Sequence, residues 1–127
     1  KVASGGELSR LLLIMKSFIS KNDTNKTVIF DEVDSGLSGK VSGVVADKIV
    51  EISKYNQVLA ITHSPQVAAK ADKHWKIVKN IKNSDIMEST IIELNEEERI
   101  EEIANIFSGS SLSDASREVA KDLLLKK

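Results

Sequence analysis

From Glu7 onward, Leu8, Leu11, Leu12, Met15, Phe18 and Ile19 recur at the spacing of one helix face. Leu13 and Ile14 widen that stripe nearly all round, so this helix needs cover from more than one side. The polar stretch Lys21 to Asn25 breaks the pattern. Thr27-Val28-Ile29-Phe30 is an apolar, β-branched run without alternation, which predicts a short strand covered on both faces, as in a parallel sheet. A polar, glycine-containing loop from Asp31 to Gly39 leads into a helix over about 40–53, with Val41, Val44, Val45, Ile49 and Ile52 inward. Val58 to Ile61 reads as a second buried strand. Strand, helix and strand in this order predict a βαβ unit with parallel strands and a right-handed crossover.

The second half changes character. Pro65 suits the first turn of a short helix over 66–71, with Ser64 as its cap. Residues 74–79 and 86–94 are strand-like, and the polar connection 80–85 joins them as a hairpin. Asn95 caps a further helix, with Glu96, Glu97 and Glu98 where the helix dipole favours acids. Its apolar face is Ile100, Ile103, Ala104 and Phe107, and Gly109 ends it. Ser111 or Ser113 starts a last helix, with Leu112, Ala115, Val119, Leu123 and Leu124 inward and Lys126 and Lys127 at its C-terminal end. The pattern contains no internal repeat or linker, so residues 1–127 read as one α/β unit.

Composition narrows the classes. The 127 residues are 41% hydrophobic and 29% charged, which suits a folded chain and excludes simple disorder. No apolar run is long enough to span a bilayer as a helix. Cysteine is absent, which removes disulfides, thiolate metal sites and thiol nucleophiles. The formal net charge of -1 gives no overall basic field for nucleic acid. The chain opens on Lys1 and enters motif-like sequence at once, as expected of a piece of something longer.

Four segments carry chemistry. Ser4-Gly5-Gly6 stands just ahead of the first helix, where exposed N–H groups and the helix dipole suit an anion such as phosphate. Asp31 and Glu32 end the first strand, at the edge where open α/β sheets bind ligands. Adjacent residues on extended backbone point opposite ways, which suits two tasks: Asp31 toward a magnesium ion, Glu32 toward an attacking water. Val33-Asp34-Ser35-Gly36-Leu37-Ser38-Gly39 makes a tight loop beside the acids. His63 ends the second strand on the same edge, while His74 lies away from it in chain order. Each segment alone also fits an ordinary helix start, loop or strand end, but their joint order is specific.

In that order the segments resemble the signature motif, Walker B, D-loop and switch histidine of ABC-type ATPases. The longer strings Ala3 to Arg10, Phe30 to Gly39, Ile61 to Asp72 and Leu94 to Ala104 resemble the RecN family of bacterial DNA repair proteins, similar to the SMC-type ATPases. The resemblance implies the C-terminal part of an ABC/SMC-type P-loop ATPase head: a βαβ parallel core with flanking helices and a hairpin. Walker A, absent from this sequence, would lie on the N-terminal half of the same head. It further implies ATP and Mg2+ as ligands, with Ser4, Gly5 and Gly6 on the γ-phosphate held by a second head and Ser35 and Gly36 bordering the nucleotide. Asp31 would serve the metal, Glu32 would be the catalytic base, and His63 would contact the γ-phosphate or the water. Implied partners are the Walker A half, a second head and, through the full-length protein, DNA, in the bacterial cytoplasm at the nucleoid. The acid that commonly ends a D-loop is Ser38 here, which removes an ionic role at that position. Two other readings are a head segment of another SMC- or Rad50-like ATPase, and a non-catalytic dimerisation module.

Overall fold

The computed structural model describes residues 24–81, 87–109 and 111–126. The helix predicted from Glu7, the Ser4-Gly5-Gly6 turn and the middle of the 80–85 connection lie outside the described residues.

The first unit is β1 (Thr27–Asp31), α1 (Gly39–Ser53) and β2 (Gln57–Ile61). The strands pair in parallel, with Thr27 opposite Gln57 and Asp31 opposite Ile61. Ser42, Val45, Ala46, Ile49 and Ile52 are the buried residues of α1. Their helical spacing lays one face of α1 against the strands, where Phe30, Val28 and Val58 complete the core. Val44, expected inward, is 60% exposed because it falls between the rows that meet the sheet. Asn56, itself buried, ties the end of α1 to the start of β1: Lys26 N donates to its Oδ1 at 3.1 Å.

The strands differ from expectation in one respect. Phe30 is buried but its neighbour Ile29 is 60% exposed, and Ile61 is half-exposed. Successive side chains point to opposite faces, so the pair is packed against α1 on one face and open on the other among the described residues.

After β2 comes the short helix α2 (Pro65–Lys70), then the antiparallel hairpin β3 (Trp75–Ile81) and β4 (Met87–Glu93). Two helices follow, α3 (Glu96–Ser108) and α4 (Asp114–Leu125). Ala68 and Ala69 of α2, Ile103 and Ala104 of α3, and Ala120 of α4 form a second core. Small residues at these contacts let the three helices approach closely.

Both C-terminal helices begin with reciprocal caps. Asn95 Oδ1 accepts from Glu98 N at 2.9 Å, while Glu98 Oε2 accepts from Asn95 N at 2.8 Å. Ser113, rather than Ser111, caps α4 and exchanges hydrogen bonds with Ser116. Phe107, expected on the inner face of α3, is 52% exposed; Leu112 and Ala115 are exposed as well. Starting α4 at Asp114 turns Ser116 and Ala120 inward, and Ala115 then falls outside that row.

Candidate functional site

The site is built at the C-terminal edge of β1 and β2. Asp31 is the last residue of β1 and is exposed. The ladder continues one step further, with Glu32 N donating to Ile61 O at 2.9 Å. The chain then turns sharply. Glu32 has φ 48°, the left-handed region that side chains other than glycine rarely adopt. Its carbonyl accepts from Ser35 N at 3.0 Å, closing a turn over 32–35. Such strained conformations cluster where function holds them. Gly36, at φ 71°, makes the next left-handed step, which a residue without Cβ takes at no steric cost.

On the neighbouring strand, Thr62 and His63 follow β2 before Ser64 caps α2 by accepting from Val67 N. His63 Nε2 lies 3.2 Å from Glu32 Oε1. Two residues far apart in sequence thus meet across the parallel pair, as strand-end chemistry predicts. Their side chains are 85% and 52% exposed, so an incoming ligand can reach both. With its proton on Nε2, the ring donates to the carboxylate and leaves the second carboxylate oxygen free to accept.

The structure brings Asp31, Glu32 and His63 to one edge, with Ser35 and Gly36 exposed in the adjoining loop. Ser4, Gly5 and Gly6 lie outside the described residues. His74 leads β3, away from this edge; burial, then the Arg99 guanidinium, hold its imidazole below its usual range. Ser38 precedes α1 without a side-chain cap bond.

The sequence places Asp34 and Thr62 within the candidate segments but gives neither a role. Asp34 is buried, and Thr62 Oγ1 donates to its Oδ2. The available signal was an acid between two apolar residues, Val33 and Leu37, both of which pack on the first core.

No cluster of three or more metal-ligating side chains occurs among the described residues. Magnesium usually takes one or two carboxylates and completes its shell with phosphate oxygens and water. The hard oxygen donor of Asp31 fits such an ion. A cleft of about 670 Å3 lies elsewhere, lined by Lys76, Ile92, Glu98, Glu101 and Arg117 among others.

No protein-family model matches the chain. The DNA repair protein RecN of Bacillus subtilis is 44% identical to it over 124 residues, which cover 98% of this chain. Over nearly its whole length the chain is similar to RecN proteins. RecN of Halalkalibacterium halodurans is 45% identical and RecN of Rickettsia conorii 44% identical, each again over 98% of the chain. The chain spans about a fifth of the length of these RecN proteins, 21% in the Bacillus case, and matches their C-terminal region. Among solved structures, one from work on "ATP-driven dimerization and DNA stimulated activation of SMC ATPases" aligns with TM-score 0.61 and 28% identity. It covers 86% of this chain and 65% of that one. The mixed α/β architecture with its parallel strand pair is therefore that of an SMC-type ATPase head.

Proposed function

We propose that residues 1–127 are the C-terminal lobe of a split ATPase head in a RecN-like DNA repair protein. The lobe completes an ATP site and takes part in ATP-dependent head dimerisation. The observation that carries this reading is the meeting of Glu32 and His63, from two strand ends, at 3.2 Å on an exposed edge.

When bound, Mg-ATP supplies the phosphoanhydride to be cleaved, with the metal offsetting phosphate charge. Glu32 accepts the proton of the attacking water as general base, through the carboxylate oxygen not engaged by His63. His63 holds Glu32 in place and, through its own exposure, reaches the γ-phosphate side. Asp31, one residue before the turn, would hold the metal. Ser35 and Gly36 would border the nucleotide, and Ser4, Gly5 and Gly6 would bind the γ-phosphate held by a second head.

The partners in this reading are the Walker A half of the same head, a second head, and DNA engaged by the full-length protein. The cellular site is the bacterial cytoplasm. The RecN relatives favour this over another SMC- or Rad50-like process. Exposed Glu32 and His63 side chains in contact favour a hydrolytic head over a purely structural module.

The test is Glu32→Gln in the full-length protein, measured by steady-state ATP hydrolysis and ATP-dependent dimerisation. Loss of a general base lowers turnover on the order of a hundredfold or more, with ATP binding and dimerisation kept. Wild-type turnover would remove the base assignment.

A further inference from the structure

The ends of β1 and β2 are joined by a second contact beneath the exposed pair. Asp34 is 7% exposed and accepts a hydrogen bond from Thr62 Oγ1. The same threonine oxygen accepts from Ser64 N at 2.9 Å. Thr62 thus stands between the carboxylate of the 34–38 loop and the backbone that flanks His63 on its far side. A further seam lies alongside: a Cβ on Gly39 would stand 3.1 Å from Gln66 Nε2, and Ser64 Oγ donates to Gln66 Oε1 at 2.8 Å.

This arrangement matters because the His63 ring is 85% exposed. Packing around the ring does not fix it; its backbone neighbours do, and both Thr62 and Ser64 are held by the threonine hydroxyl. A buried carboxylate left without its donor is costly. The 34–38 loop therefore cannot shift without either carrying Thr62 with it or leaving Asp34 unpaired.

We propose that the Asp34–Thr62 hydrogen bond is the link through which the 34–38 loop sets His63 against Glu32. The proposal rests on the reading of Glu32 and His63 as the hydrolytic pair. Asp34 and Thr62 are positioning residues; neither touches the reacting atoms.

The experiment compares Thr62→Val, Thr62→Ser and Glu32→Gln in the full-length protein. Each variant is measured for kcat, KM for ATP, ATP-driven dimerisation by light scattering, and melting temperature. Thr62→Val keeps the shape and removes the hydroxyl. It should lower kcat about ten- to a hundredfold, as small misplacements of reacting groups do, with KM and dimerisation retained. Thr62→Ser restores the hydroxyl and most of the rate. Wild-type kcat in Thr62→Val overturns the proposal, as does a Thr62→Ser variant no better than Thr62→Val. So does a Thr62→Val variant that loses kcat, KM, dimerisation and melting temperature together, which marks a hydroxyl needed only for folding. Glu32→Gln separates the two levels. Full turnover there removes the hydrolytic reading, whereas an inactive Glu32→Gln beside a fully active Thr62→Val removes the link alone.

Discussion

The core beneath the parallel strands and the core among the C-terminal helices share one short helix: Val67 of α2 packs into the first, Ala68 and Ala69 into the second. They obey different local rules. In the second, the helices that meet α2 begin with capping boxes, and Arg117 on α4 pairs with Glu101 on α3 at 2.6 Å. Arg99 closes the end of α2 by donating to Ala71 O at 2.8 Å. In the first, the strands run out into a left-handed glutamate and a histidine whose ring is mostly in water. Where local preferences agree with the fold, a region is built for stability. Where they are violated and held in place, it is a candidate for function.

The sharpest way to break that contrast is through the second core. Ile103 is fully buried, and Ile103→Ala should cost about 2–5 kcal/mol by lost transfer energy and the cavity left behind. Urea unfolding of the chain measures it. A loss well under that range would mean that the helical core collapses around the gap and is less tightly packed than its burial indicates. A smaller effect is expected at the cap. Asn95→Ala removes the acceptor for Glu98 N and should lower stability by about 1 kcal/mol in the same assay. At the edge of the first core the sign reverses. Glu32→Gly removes a side chain from φ 48° and should raise stability by up to about 1 kcal/mol while abolishing turnover. A stability loss there would show that the Glu32 side chain supports the fold.

Much of this was legible in the amino-acid sequence, for physical reasons that differ by region. The β1–α1–β2 unit was readable because two short non-alternating apolar runs flank a stretch of helical period, and α2 and α3 because Ser64 and Asn95 are strong caps. Burial at single positions was less legible. Val44 and Phe107 are apolar yet exposed, whereas Ser42 and Ser116 are buried; which residue turns inward depends on where the helix meets its neighbour, not on residue type. The open face of the strand pair was likewise hidden, since a non-alternating run describes what a strand can bury and not what covers it.

At the candidate site, Asp31, Glu32 and His63 followed from strand-end placement. The left-handed turn at Glu32 and the Asp34–Thr62 contact did not, because each depends on how two loops distant in sequence settle against one another. The roles that the family resemblance gives Asp31, Glu32 and His63 belong to that same edge, and they stand or fall with the pairing of Glu32 and His63.

The most direct measurement is a double-mutant cycle on kcat in the full-length protein, with Glu32→Gln, His63→Ala and the two combined. Residues that act as one unit are strongly non-additive. The account predicts that the double variant is no slower than Glu32→Gln alone. Losses that multiply would contradict it, since they would mean that the 3.2 Å contact joins two groups that work independently.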